Sequence, residues 1–374
     1  MQETDDVIVR TIKGFRERKK RIEEHGVNCI PSPFECFRND FPGVEQGKYY
    51  LISGAAKASK TQITSLLFLY TPILYAYENP DKVHLKIFYF PLEELDIKIT
   101  ARFCSYLLYT KSKREKRYSP MVLNCVNENA TAPDEVYDLL EFSPKYRDIL
   151  NFFKDHVEFR KEKNPTGCWK TVTKYAEEHG TIHKKWDERL QKEVFDYYVP
   201  DDPLEYVIII WDHAGLTSTE TIDGQKLNLK ESIDRLSGFF VYFRDYLHYT
   251  PVMVQQQNMD TISLDAYKSK KIMPTLAGLA DTKNTGKDCS LFLGITNPYG
   301  FEIDDYRGYN TKLLGGYCRF LEVVMSREGE SNGYLPLYFD GAVNYFLPLP
   351  KPDDATKLNQ VYRLIDSNIN PQSN

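Results

Sequence analysis

Apolar residues in this chain fall into two kinds of stretch. Short runs with few interruptions alternate with longer segments whose apolar positions recur every three or four residues. The short runs are Tyr49–Ile52, Val83–Phe90, Tyr206–Trp211 and Pro251–Gln256, each predicted as a strand. The longer segments predict helices over 62–77 (kinked at Pro72), 95–109, 134–155 and 229–247. Another helix is predicted from the Asn164-Pro165-Thr166 cap signal to Glu178, and His156–Arg160 is a short strand candidate. Strands alternating with helices over 49–260 argue an α/β fold with a parallel, doubly covered sheet. Farther on, 289–296, 318–325 and 334–339 have the turn-rich spacing of antiparallel strands.

The flanks and interruptions carry less pattern. Residues 5–25 form a helical candidate with Ile8, Ile12, Phe15 and Ile22 near one face and basic residues on the others, stopped by Gly26. Two polar stretches, about 111–135 and 179–203, interrupt the alternation and are expected as exposed insertions. Residues 134–155 are expected as one unbroken helix, and the tail after Pro350 as peripheral. The division that follows is 1–26, 27–350 and 351–374.

Composition narrows the class without naming an activity. Across 374 residues, 42% are hydrophobic and 27% charged, as in a soluble globular protein. No run is long enough to span a bilayer, so no membrane association is expected, and the N-terminus shows no secretory pattern. Seven cysteines without a C-x-x-C pair are read as free buried thiols in a reducing cytoplasm. A net charge of −5 leaves local Lys and Arg clusters to decide any contact with nucleic acid. Cys168, His179 and His183 have partial ligand spacing but lack the paired cysteines of a zinc site. His213 beside Asp212 is discounted as a catalytic dyad, because neighbours at a strand end point to opposite faces.

The chemistry concentrates in residues 49–62. An apolar run ends at Gly54, small residues follow (Ala55, Ala56, Lys57, Ala58, Ser59), and then Lys60, Thr61 and Gln62 open a helix. Strand, tight loop and helix with Lys-Thr at its start is the order of a phosphate-binding loop. Backbone N–H groups face the anion, the lysine reaches the outer phosphates and the threonine hydroxyl holds Mg²⁺. The departure is Ser59, where the usual pattern has its second glycine. Three further residues stand where such a loop needs them. Asp212 ends the most apolar strand and suits a Mg²⁺-associated carboxylate; Glu93, with Glu94 competing, suits a base that polarises water; Gln257, within a run of three glutamines, suits a γ-phosphate sensor.

This ordered set resembles the motor domain of DnaB-type replicative helicases, within the RecA-like ATPase class. The resemblance runs through Ile30–Phe37, Gly43–Gly54, Phe90–Glu93, Ile208–Asp212, Pro251–Gln257, Pro274–Leu279 with Asp288 and Leu291–Ile295, and Glu322–Arg327 with Gly333 and Tyr338–Asp340. It implies a RecA-like core over 27–350 and a linker or oligomerisation helix over 1–26. It also implies ATP and Mg²⁺ as cofactors. A ring, a homo-hexamer by the family pattern, would move on single-stranded DNA, with primase or a helicase loader as further partners. Arg327 is implied as the finger reaching a neighbour's site, with Arg319 as fallback. The family has Lys and Arg two apart there, whereas only Arg327 is basic in this hairpin. Lys226 and Lys230, and Lys268, Lys270 and Lys271, fall in the loops (about 217–230 and 258–273) that would face DNA. With about 30 residues ahead of the motor, a phage or mobile-element protein acting in a bacterial host cytoplasm is expected, without the family's N-terminal primase-interacting domain. The rival readings are a RecA-like ATPase serving recombination, loading or packaging, and a degenerate nucleotide-binding module.

Overall fold

The protein is described by a computed structural model covering residues 7–26, 28–126, 128, 130–258, 267–329 and 333–369. The strands predicted from apolar runs form one sheet. They are β1 (Tyr50–Gly54), β2 (His84–Pro91), β3 (Val157–Phe159), β4 (Glu205–Asp212), β5 (Thr250–Gln256), β6 (Leu291–Thr296), β7 (Cys318–Ser326), β8 (Tyr334–Asp340) and β9 (Tyr345–Pro348). The order across the sheet is β9-β8-β7-β6-β1-β5-β4-β2-β3. From β6 through β3 neighbouring strands are parallel, and from β6 to β9 they are antiparallel.

The strands read as near-continuous apolar runs because both sheet faces are covered. Tyr50, Ile52, Ile208, Ile210, Val252 and Leu293 enter one core, while Leu51, Ile209, Trp211, Met253 and Phe292 enter the other. This two-residue alternation pins the register, since a slip of one place would exchange the two cores.

Four expectations change. The helix after the phosphate loop widens into a π segment, Leu66–Tyr70, between α-helical Lys60–Ser65 and Thr71–Glu78. Pro72 has no N–H to give the turn before it, and the wider turn absorbs that loss. The single helix expected over 134–155 is two, Asp134–Phe142 and Pro144–His156, because Ser143 before Pro144 is pushed to ψ 121°. The first insertion is only partly exposed: Arg117 makes a two-pronged ion pair with the fully buried Asp340 (2.7 and 2.9 Å). The tail is not peripheral. Helix Ala355–Ile369 buries Leu358 and Ile365 in a third cluster with Leu314, Phe320 and Tyr338.

The second insertion is a hairpin, Gly180–Asp187 paired with Lys192–Pro200. Its Phe195 packs edge-on against Tyr242 and Tyr246 of helix Leu229–Leu247. The N-terminal helix spans Val7–His25 and ends where Gly26 adopts φ +73°. Its Ile8, Ile12, Phe15 and Ile22 are exposed. Of the seven cysteines, Cys168, Cys289 and Cys318 are buried, whereas Cys36 and Cys125 are exposed, so the expectation of buried thiols holds for part of the set. Among the described residues, no helix is long and apolar enough to cross a membrane.

Candidate nucleotide site

Parallel strands put their C-terminal ends along one edge, and the predicted site residues collect there. Gly54 at the end of β1 lies opposite Gln256 of β5, and Asp212 at the end of β4 lies opposite Pro91 of β2. The loop from Ala55 to Ser59 leaves β1 at this edge and turns directly into the helix at Lys60. Gly54 is required by contact: a Cβ here would lie 2.5 Å from the carbonyl oxygen of Ile295 on β6.

Lys60 and Thr61 face two acids. Thr61 Oγ1 donates to Asp212 Oδ1 at 3.3 Å, and the Tyr89 hydroxyl donates to Asp212 Oδ2 at 3.0 Å. Asp212 is 4% exposed, and burial pushes its carboxyl up to about 6 against the opposing pull of those two hydrogen bonds. Lys60 Nζ donates to Ala55 O at 2.9 Å. Burial lowers its pKa, while the charges of Asp212 and Glu93 work the other way. A buried carboxylate beside a threonine hydroxyl, facing a lysine with only a carbonyl partner, fits a divalent cation and an anionic phosphate. Among the described residues no ready-made cluster of three or more metal-ligating side chains occurs. A cation here would therefore take Asp212 and Thr61 from the protein and its remaining oxygens from nucleotide and water.

The structure separates Glu93 from Glu94. Arg102 clasps Glu94 with both guanidinium nitrogens. Glu93 stays 56% exposed, 3.7 Å from Nε2 of His213. The Gly215 N–H donates to His213 Nδ1 at 3.2 Å, which puts the ring proton of the neutral tautomer on Nε2, facing Glu93. Burial lowers the His213 pKa, favouring that neutral ring. Discounting an Asp212–His213 dyad leaves this partnership unseen, because the carboxylate near His213 comes from a different strand end.

Gln257 is buried and links two segments. Its Nε2 donates to Ser53 Oγ (2.9 Å), and its Oε1 accepts from the Thr275 N–H (3.1 Å), so the end of β1 is tied to the stretch following the loop at 258–273. Gln255 is held by Thr282 O (2.8 Å) and Thr285 Oγ1 (2.5 Å). Of that loop, residues 259–266 lie outside the described residues. Lys268, Lys270 and Lys271 are exposed beyond it, Lys270 pairing with Asp305 at 3.0 Å. Lys226 and Lys230 are exposed as well, Lys230 pairing with Asp234 at 3.3 Å. Lys226 closes a small hairpin turned by Asp223 and Gly224, both at positive φ, a turn that the Asp-Gly pair signals in sequence.

The two candidate arginines occupy opposite edges of the sheet. β7 runs antiparallel to β6, so its start meets the phosphate-loop edge and its end meets the far edge. Arg319 at the start is buried and donates through Nε to Ser59 Oγ at 3.0 Å. Arg327, past the end of β7, is exposed and bonds the carbonyls of Cys289 (2.9 Å) and Lys287. Ser59 itself holds φ +76°, ψ +34°, the left-handed region in which glycine is free and other residues give up about 1–2 kcal/mol. That is why the usual pattern has glycine at this position. Tyr89, His213 and Arg319 are the site residues that sequence reasoning missed. A lone arginine within the apolar run Cys318–Val324 was the one available signal.

Neither a protein-family model nor a curated protein sequence matches this chain. Solved structures do. The isolated ATPase domain of a DnaB-like helicase superposes with a TM-score of 0.61 at 12% identity, over 93% of this chain and all of that one. A DnaB-like replicative helicase, described with its interactions with primase, superposes with a TM-score of 0.58 at 13% identity, over 92% of this chain and 68% of that one. The fold is therefore that of the ATPase domain of DnaB-type helicases, a RecA-like core with a mostly parallel sheet flanked by helices.

Proposed function

We propose that this protein is a Mg²⁺-dependent ATP hydrolase that works as a ring-forming motor on single-stranded DNA, a helicase of the replicative type. The observation that carries the reading is the convergence of Lys60, Thr61, Asp212 and Glu93 at one sheet edge, with a hydroxyl–carboxylate contact of 3.3 Å already formed. Bound Mg²⁺ would supply charge neutralisation between the phosphates. Lys60 would bind the outer phosphates, Thr61 and Asp212 would hold the cation and its waters, and Glu93 would accept a proton from the attacking water. His213 Nε2–H steadies the Glu93 carboxylate, and Arg102 keeps Glu94 out of the role.

Gln257 suits the sensor role, because its two amide partners link the phosphate loop to the segment leading from Lys268, Lys270 and Lys271. Those lysines, with Lys226 and Lys230, would meet DNA phosphates in the ring's channel. Arg327 lies on the edge away from its own phosphate loop. An arginine finger serving a neighbour needs that placement, and Arg327 would exchange its two carbonyl partners for the neighbour's nucleotide. A hexamer fits a site completed in trans, and the exposed apolar side chains of helix Val7–His25 suit a contact between subunits. Primase or a loader are the partners in keeping with the fold's relatives.

The deciding measurement is ATP-dependent unwinding of a forked duplex, run alongside turnover with and without single-stranded DNA. Turnover that DNA stimulates, with strand separation, is the expected result. Turnover indifferent to DNA and no separation would sink the helicase reading in favour of an ATPase of recombination, loading or packaging. Failure of Lys60→Ala to weaken ATP binding would leave only a degenerate module.

A further inference from the structure

The Arg319 guanidinium is 6% exposed, and every polar partner it has is uncharged. Nε donates to Ser59 Oγ at 3.0 Å, and Nη1 donates to Gly316 O at 2.9 Å and Cys318 O at 2.7 Å. The Phe339 ring lies beneath it at 4.9 Å. Among the described residues no carboxylate pairs with it. A buried cation without an anion is costly and is not explained by packing alone. Its one contact outside β7 and the turn before it is the hydroxyl of Ser59. That serine holds a left-handed turn immediately before Lys60, where a side chain is strained and glycine is not.

We propose that Arg319 is a positioning residue of the nucleotide site in its own subunit. By donating to Ser59 Oγ it holds the phosphate loop in the left-handed turn that aims Lys60 and Thr61. Ser59 and Arg319 together thus do what glycine does alone. The inference rests on the nucleotide reading above and assigns Arg319 a role in its own subunit, distinct from that of a finger. It explains why an arginine interrupts an apolar strand and why a serine is tolerated at a glycine position: each answers the other. It also ties the loop to the start of β7, whose Cys318 and Phe320 pack with the C-terminal helix.

The test measures affinity for a fluorescent ATP analogue with Mg²⁺ in wild type, Arg319→Gln, Ser59→Ala, Ser59→Gly and Ser59→Gly/Arg319→Gln, with Lys60→Ala as control. Loss of a charge-assisted hydrogen bond predicts affinity lower by roughly tenfold or more in Arg319→Gln and Ser59→Ala. Ser59→Gly should bind as well as wild type, and adding Arg319→Gln to it should then be silent. That rescue is the signature of positioning, since a glycine at 59 cannot repair a core damaged at 319. Should Arg319→Gln fail to fold, Ser59→Ala against Ser59→Gly asks the same question without touching the buried charge. Wild-type affinity in Ser59→Ala, or a double variant as weak as Arg319→Gln alone, overturns the proposal. Wild-type affinity in Lys60→Ala overturns the nucleotide reading beneath it.

Discussion

Asp212 is placed for function at the expense of stability, and the size of that conflict can be worked out. The carboxyl is buried, accepts hydrogen bonds from Thr61 and Tyr89, and titrates at about 6 against an ordinary 3.8. Because the folded pKa is the higher one, the native state binds the extra proton between those values. Stability is therefore lost as pH rises from about 4 to about 6. At about 1.4 kcal/mol per pH unit, keeping Asp212 ionised at pH 8 costs the cation-free protein about 3 kcal/mol. Asp212→Asn removes that charge at nearly constant shape but keeps one acceptor where the carboxylate had two, giving back about 1 kcal/mol. The variant should be more stable than wild type by about 2 kcal/mol at pH 8 and no more stable at pH 4, while losing nucleotide turnover. Urea denaturation in EDTA at both pH values, followed by the fluorescence of the neighbouring Trp211, measures this. A variant no more stable than wild type at pH 8, or equally stabilised at both, would refute the account of a strained carboxylate awaiting a cation.

The other predictions concern single contacts. Glu93→Gln should bind ATP normally and lose turnover by about 100-fold or more, of the order seen when a positioned base is removed. Glu94→Gln should keep most of its turnover because Glu94 is already committed to Arg102, and comparing kcat for the two variants at saturating ATP checks this. Gly54→Ala places a methyl 2.5 Å from the Ile295 carbonyl and should destabilise the sheet at β1 by about 1–3 kcal/mol, read as a lower melting temperature. Arg117→Ala leaves Asp340 buried without its ion pair and should cost about 3 kcal/mol in urea denaturation, most of it restored in Arg117→Ala/Asp340→Asn.

Much of the architecture was legible because local signals agreed. The strands Tyr206–Trp211 and Pro251–Gln256 are apolar on both faces, which is what a covered parallel sheet demands, and the helix at 229–247 carries its own Asn228–Glu231 capping box. Where expectations changed, a tertiary partner overrode composition. The polar stretch 179–203 became a hairpin because Ile182 and Phe195 alternate onto an aromatic helix face. The segment from 111 is partly drawn in because Arg117 finds Asp340, 223 residues away. The tail packs because a few apolar positions meet a cluster that exists only once β7 and β8 are paired.

The sequence alone determined the phosphate loop at 54–61, the order of the acids that follow it, and the strand–helix alternation that sends them to one edge. These are matters of residue type and period, which the backbone turns into position without further information. Only the tertiary structure decided which of Glu93 and Glu94 is free, that His213 serves Glu93 and not Asp212, and that Arg319 and Arg327 face opposite edges. It also decided that Ser59 stands in a left-handed turn held by Arg319. Each of these depends on a contact between strands distant in sequence, and such a contact has no periodicity to announce it.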